Sequence, residues 1–156
     1  MNVLFLDGLG SNPTGLKPTF LRDHGFEVHY PILPEWDFED AVRVAQGAYA
    51  ENHPDAIVGY SRGGAVALNI DSGETPLVLL APAWTFLGAA TTTKPGTLIL
   101  HSEQDMLVPL DGSRELLRNT GLAGSALRVV GEEHYMDDQE ALRALLGALE
   151  AFRRGG

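Results

Sequence analysis

The sequence lacks several features, and each absence excludes a class of function. It contains no cysteine, which rules out disulfides, thiolate zinc sites and cysteine nucleophiles. It is poor in basic residues: 11 Lys and Arg against 21 Asp and Glu give a formal net charge of −10. Nucleic acids and anionic membranes attract cationic surfaces, so we expect neither as the main partner. No apolar run approaches the ~18 residues of a membrane span and no signal-like segment opens the chain, so we expect a cytoplasmic protein.

The length and composition are those of an ordinary globular protein. The chain has 156 residues, of which 44% are hydrophobic and 21% charged. A chain of this size can bury ~70% of its unfolded surface without a metal or disulfide. We therefore expect a single domain over residues 1–156 that needs no cofactor.

Short apolar runs alternate with amphipathic stretches along the whole chain. This alternation predicts an α/β fold, a three-layer sandwich with a mostly parallel six-stranded sheet and helices on both faces. We expect Asp37 and Asp111 to cap the second and fourth helices, and Asp137 with Glu140 to form a capping box before the last helix. The predicted strands cover 3–6, 26–30, 55–60, 77–81, 97–101 and 127–130.

The loop after the third predicted strand carries the most specific motif. Gly59-Tyr60-Ser61-Arg62-Gly63 fits the G-x-S-x-G pattern of a nucleophile elbow, between an apolar strand and a helix of small residues. The glycines are needed because the serine lies on a sharp turn where side chains two residues away would collide. The following helix points its N-terminus at the serine, which favours developing negative charge. Ser61 is the predicted nucleophile.

A serine nucleophile needs a base, and the base needs an acid that orients it. In sheets of this kind the chemistry lies in the loops that follow the carboxyl ends of the strands. His134 lies in the loop after the last strand and is the predicted base, whereas His101 reads as a packed residue at a strand end. Asp105, between Ser61 and His134 in the chain, is the best candidate for the acid. Glu103 is the second choice.

The third requirement is a pair of N–H groups that stabilise the oxyanion of the tetrahedral intermediate. We expect one from the backbone of Arg62, the residue after the nucleophile. The other is expected from Leu9, in the loop after the first strand. The Arg62 side chain could instead bind a substrate carboxylate or pair with an acidic residue.

Apolar and aromatic residues are frequent in the loops that follow the strands. We expect a substrate pocket formed by such residues, which as a group indicate an apolar substrate. The predicted lining is Gly8, Tyr60, Trp84, Met106 and Tyr135.

With these motifs the sequence resembles the α/β-hydrolase superfamily, and most of all its small serine esterases without a lid. The resemblance spans nearly the whole chain and rests on the serine motif, on the segment from His101 to Pro109 and on Glu133-His134. The first strand also runs into a Gly-x-x-Ser-x-Pro-type loop through Ser11. The resemblance implies a Ser61-His134-Asp105 triad that hydrolyses small-molecule esters. The chain departs from the family by having Asp7-Gly8 where His-Gly is usual, which adds a negative charge near the site.

Several alternatives remain open at the level of the sequence. The same triad could cleave a thioester, a lactone or a peptide, and the scaffold could serve as a non-catalytic binding module. A dinucleotide site is disfavoured, because Pro13 stands where the glycine motif requires a third glycine. A metal among the acidic residues near His134 is disfavoured by their spacing. The segment from Pro82 to Gly96 is too short for a helical lid, so we expect an open, shallow site suited to small soluble esters.

Overall fold

The protein is described by a computed structural model that covers residues 1–10 and 12–155. Its core is a six-stranded sheet in the order β2-β1-β3-β4-β5-β6, and all five strand pairings are parallel. The predicted α/β architecture is therefore confirmed. The strands are β1 (Asn2–Leu6), β2 (Glu27–His29), β3 (Ala56–Tyr60), β4 (Leu77–Leu80), β5 (Leu98–His101) and β6 (Leu127–Val129).

Five helices cover the two faces of the sheet. They are α1 (Leu16–Asp23), α2 (Phe38–Asn52), α3 (Arg62–Asn69), α4 (Leu110–Thr120) and α5 (Gln139–Gly155). Alternate strand residues point to opposite faces, so successive residues such as Ile57 and Val58 belong to two separate cores. One core holds α1 and α5, and the other holds α2, α3 and α4.

The strand order brings two loops together at the centre of the sheet. β1 pairs with β2 on one side and with β3 on the other, so the chain changes direction around β1. In the register of β1 and β3, Leu6 lies opposite Gly59. The loops that leave β1 and β3 therefore emerge side by side, the usual position of a ligand site in an open parallel sheet.

The predicted helix caps are confirmed at one helix and wrong at two. Asp37 caps α2, because its Oδ1 accepts the N–H of Asp40 at 3.1 Å. At α4 the N-cap position is Pro109, and Asp111 lies within the first turn, where its carboxylate pairs with Arg114. A negative charge there is still favoured by the helix dipole.

At α5 the capping carboxylate belongs to Asp138 rather than to Asp137. Asp138 Oδ2 accepts the N–H of Ala141 at 3.2 Å, and its carbonyl accepts the N–H of Leu142 at 3.0 Å. The sequence offers two adjacent aspartates, and only the path of the preceding loop decides which of them reaches the helix end.

The connection from β4 to β5 contains no helix, as predicted. None of the helices within residues 1–10 and 12–155 is long and apolar enough to cross a membrane.

Candidate active site

Ser61 occupies the sharp turn between β3 and α3. Its backbone has φ 53° and ψ −116°, a conformation that non-glycine residues rarely adopt. The turn is possible because the residues two positions before and after Ser61 lack side chains: a Cβ on Gly59 would lie 2.8 Å from the carbonyl oxygen of Gly63. A Cβ on Gly63 would lie 1.9 Å from the carbonyl oxygen of Leu6 in β1. The glycines therefore let α3 start directly against the sheet.

The structure brings the predicted nucleophile, base and acid together in one hydrogen-bonded chain. Ser61 Oγ lies 2.9 Å from His134 Nε2, and His134 Nδ1 lies 2.6 Å from Asp105 Oδ2. The carboxylate only accepts hydrogen bonds, so Nδ1 carries the proton and Nε2 is free to accept the serine hydroxyl proton. Both His134 and Asp105 are buried.

The Asp105 carboxylate is held by the backbone of its own loop as well as by His134. Its Oδ1 accepts the N–H groups of Leu107 and Val108, each at 2.8 Å. Burial raises the pKa of this carboxyl, but the bonds from Val108, His134 and Leu107 outweigh it, so the pKa lies below its ordinary value. Asp105 is therefore ionised at neutral pH. Glu103, the alternative acid, is exposed.

A second histidine, His101, contacts the carboxylate of Asp105 in addition to His134. His101, read from the sequence as a packed strand-end residue, is indeed fully buried, but its Nε2 lies 3.1 Å from Asp105 Oδ2. Its Nδ1 lies 2.7 Å from Ser113 Oγ on α4. Sequence reasoning missed this contact, although the four-residue spacing between His101 and Asp105 around one turn was a usable signal.

The loops expected to supply the oxyanion donors border the same cavity as Ser61. Leu9 and Arg62 both line it, and Arg62 is the first residue of α3, where N–H groups have no acceptor in a preceding turn.

The carboxylate of Asp7, in the loop after β1, has hydrogen-bond partners within the protein. Its Oδ1 accepts the N–H of Gly8 at 2.8 Å, and its Oδ2 accepts the hydroxyl hydrogen of Tyr30. Ser11, part of the motif noted in this loop, lies outside the described residues.

The side chain of Arg62 has protein partners. Its guanidinium donates to the carbonyl oxygen of Pro34 at 2.6 Å and lies 3.4 Å from that of Glu35. Glu35 in turn accepts the N–H of Gly10 at 2.9 Å. The Arg62 side chain thus ties the loop after β2 to the site through backbone carbonyls, and the carboxylate of Glu35 also interacts with it electrostatically.

The cavity over Ser61 has a volume of about 320 Å³ and a mostly apolar lining. Of the predicted lining residues, Gly8, Tyr60 and Tyr135 are present, whereas Trp84 and Met106 are not. Trp84 is buried in the core and donates its indole N–H to Gly112, and Met106 is 92% exposed. The lining is Gly8, Leu9, Tyr60, Ser61, Arg62, Ala83, Leu87, Leu107, Val108, His134 and Tyr135.

A buried lysine supports the loop that carries His134. Lys17 Nζ donates to the carbonyl oxygen of Tyr135 at 2.6 Å and lies 3.9 Å from the ring centre of Tyr60. The Tyr60 ring lies 5.4 Å from the ring of His134. Burial lowers the pKa of Lys17, while Asp7 and Asp137 act in the opposite direction. The sequence held no signal for Lys17, because α1 meets this loop only in the folded chain.

Asp138, one of the acidic residues near His134, has local structural partners. Asp138 Oδ1 accepts the N–H of Glu132 at 3.1 Å, in addition to its role at the start of α5. Within the part of the chain that the structure describes, no three His, Cys, Asp or Glu side chains are grouped to hold a metal ion.

Comparison with known proteins identifies the fold. No model of a protein family matches the sequence, and no curated protein does either. Among solved structures, the chain is similar to alpha/beta hydrolase domain-containing protein 10 from mouse, with a TM-score of 0.77, 15% identity, and coverage of 99% of this chain and 90% of that one. It is also similar to Est1E from Butyrivibrio proteoclasticus, with a TM-score of 0.70, 15% identity and coverage of 99% and 87%. Esterase PE8 gives a TM-score of 0.69 at 21% identity, with coverage of 97% and 92%. The chain therefore has the α/β-hydrolase fold.

Proposed function

We propose that the protein is a serine hydrolase, a carboxylesterase that acts on small, neutral esters. The observation that carries this proposal is the chain from Ser61 Oγ through His134 to Asp105, with distances of 2.9 Å and 2.6 Å, at the base of an apolar cavity. The hydrolases and esterases among structures of the same fold add support at the level of the scaffold.

The proposed reaction proceeds through an acyl-enzyme. Ser61 Oγ attacks the carbonyl carbon of the ester while its proton passes to His134 Nε2, and the carbonyl electron pair moves to the oxygen. The N–H groups of Leu9 and Arg62 stabilise that oxyanion, and each such donor contributes ~2.7–4 kcal/mol in comparable sites. The intermediate collapses, and the leaving alcohol takes the proton from His134. A water molecule then attacks the acyl carbon by the same route, which releases the acid and restores Ser61.

The size and lining of the cavity support an ester with a short acyl group as the substrate. Its volume of about 320 Å³ lies at the lower end of the ~300–1,000 Å³ usual for ligand pockets. Leu87, Leu107 and Val108 contribute apolar surface to it, and its cation, Arg62, is engaged with backbone carbonyls. A small uncharged acyl group fits these properties better than an anionic or long one.

The test is covalent labelling with a fluorophosphonate probe, combined with turnover of short acyl esters. Wild type is expected to be labelled, and Ser61→Ala to lose both labelling and turnover, the latter by a factor on the order of 10⁶. Ser125→Ala is the control, because this serine is exposed in the turn before β6, at the opposite edge of the sheet from Ser61. Equal labelling of wild type and Ser61→Ala, or labelling of neither, would contradict the assignment. Acyl thioesters, lactones and aminoacyl amides tested in parallel identify the preferred bond.

A further inference from the structure

His101 makes three polar contacts from a fully buried position at the end of β5. Its Nε2 lies 3.1 Å from Asp105 Oδ2 and 2.9 Å from the carbonyl oxygen of Val108. Its Nδ1 lies 2.7 Å from Ser113 Oγ, and Ser113 is also fully buried. No step of the proposed reaction uses this histidine, yet it contacts the same carboxylate oxygen as the catalytic base.

The contacts of the ring determine where its proton lies. Both oxygens that face Nε2, a carboxylate and a backbone carbonyl, can only accept hydrogen bonds, so Nε2 carries a hydrogen. Burial lowers the pKa of His101, with Val108 and Asp105 opposing and His134 reinforcing this effect, so the ring is neutral at pH 7. Nδ1 of the neutral ring is an acceptor and receives the hydroxyl hydrogen of Ser113.

The result is a chain of hydrogen bonds that meets at Asp105. From one side, the Ser113 hydroxyl donates to His101, and the single Nε2–H of His101 is shared between the carbonyl oxygen of Val108 and Asp105 Oδ2. From the other side, the Ser61 hydroxyl donates to His134, and His134 donates to the same Oδ2. Oδ1 is already held by the N–H groups of Leu107 and Val108. The carboxylate thus has donors on both oxygens, and its plane is fixed.

We propose that His101 is a positioning residue for the triad: by donating to Asp105 Oδ2 from a rigid strand end, it holds that oxygen where it receives the His134 Nδ1–H. This inference rests on the proposed function, because Asp105 orients a catalytic base only if Ser61 is the nucleophile. His101 is the last residue of β5, inside the hydrogen-bonded sheet, whereas His134 lies in the loop between β6 and α5. A purely structural role, in which His101 only links β5 to Val108 and α4, makes different predictions.

Two substitutions separate the two roles. In His101→Gln the side-chain amide reaches as far as the original Nε2 and can still donate to Asp105. In His101→Asn the shorter amide reaches only the position of Nδ1, so the donor to Asp105 is lost. Both variants remove the ring from the same buried position, and they differ in size by a single methylene group.

We expect His101→Asn to lower kcat for a short acyl ester by about 10- to 100-fold with little change in KM, as for a small misplacement of a catalytic group. His101→Gln is expected to retain most of the kcat of wild type. Thermal unfolding should be similar for the two variants. Equal kcat values in the two variants would show that His101 has only a structural role.

A measurement that needs no activity is NMR of ¹⁵N-labelled histidine rings. In wild type, His101 is expected to carry its proton on Nε2, and His134 to show a protected Nδ1 proton at low field. This His134 signal should move and exchange faster in His101→Asn and remain near its wild-type position in His101→Gln.

The wild-type spectrum can overturn the proposal even if a variant does not fold, because a His101 proton on Nδ1 would exclude donation to Asp105. Where His101→Asn folds, an unchanged His134 signal in that variant would also contradict the proposal. Failure of wild type to react with the fluorophosphonate probe is a separate outcome. It would contradict the proposed function, while the NMR result would still decide whether His101 positions the carboxylate and the His134 ring.

Discussion

At the scale of single residues, Ser61 combines backbone strain with a polar contact. A non-glycine residue at a φ of 53° carries a strain of ~1–3 kcal/mol, which persists only when the surroundings determine the conformation. Here the surroundings are β3, the start of α3, and glycines at the points of closest approach. The strain directs Oγ out of the turn toward His134, so the geometry and the proposed role agree.

Asp105 is the residue for which the structure predicts a pH-dependent contribution to stability. Its folded pKa lies below the ~3.9 of an aspartate in an unfolded chain. The unfolded state therefore binds the proton first as the pH falls. The stabilisation is fully present above about pH 4 and is lost as the pH falls toward the folded pKa. We expect Asp105→Asn to lower the Tm most at pH 5 to 7, by an amount that shrinks below about pH 4.

Thermal unfolding of wild type and Asp105→Asn, followed by circular dichroism at a series of pH values, measures this difference. Asp111→Asn is the control, because Asp111 is exposed and pairs with Arg114 on the surface. Its effect on Tm should be small at every pH. A Tm difference for Asp105→Asn that does not change with pH would contradict the prediction.

At the scale of elements, the close packing of α3 on β1 shapes the site. Gly63 allows this approach, because even a Cβ there would overlap the carbonyl group of Leu6. β1 continues directly into the loop with Gly8 and Leu9, which borders the cavity. A displacement of α3 would therefore move both the serine turn and the expected oxyanion loop.

We expect Gly63→Ala to destabilise the fold by at least about 1–3 kcal/mol, since the overlap is with backbone rather than with a movable side chain. It should also lower kcat, because the loop after β1 would shift. Urea unfolding and turnover of a short acyl ester measure the two effects.

Gly47→Ala in α2 is the matched control. A Cβ at Gly47 meets no atom within 4 Å, and alanine is the better helix former, so this variant should be more stable by about 0.5–1 kcal/mol. If the two variants changed stability by the same amount and in the same direction, helix propensity rather than the contact with β1 would account for the effect of Gly63→Ala.

At the scale of the whole molecule, charge and apolar surface are distributed unevenly. The net charge is −10, while exposed apolar side chains concentrate in the loops at the carboxyl edge of the sheet, around the cavity. These positions are consistent with the proposed preference for neutral, apolar esters. The exposed residues there are Leu9, Leu16, Ile32, Trp36, Phe86, Met106, Leu107 and Tyr135.

This charge predicts discrimination between neutral and anionic substrates. We expect a butyryl ester to be hydrolysed with a higher kcat/KM than a succinyl ester with the same leaving group, because the negative potential repels the anion. Salt shortens the Debye length from about 30 Å at 0.01 M to about 3 Å at 1 M, so the ratio should fall as salt is added. Steady-state kinetics over a salt series measure it. A ratio independent of salt would show that pocket shape, not the field of the protein, sets the preference.

The sequence by itself determined the layers of the fold and the identity of the main candidate residues. Apolar periodicity is a local property, so the strands and helices were predictable to within a few residues. The serine motif was readable for the same reason, since its glycines serve a turn made by neighbours in the chain. Caps were less certain: at α5 the adjacent Asp138 takes the place predicted for Asp137, and α4 begins earlier than predicted, with Pro109 at its N-cap and Asp111 inside the first turn.

The tertiary structure alone decided which side chains meet. Ser61 and His134 are separated by 73 positions and His134 and Asp105 by 29, and the strand order is what places their loops at one edge. The contact of Lys17 with the His134 loop and the exclusion of Trp84 and Met106 from the cavity were decided in the same way. Such contacts depend on packing between distant elements, and a sequence pattern records only the interactions between near neighbours.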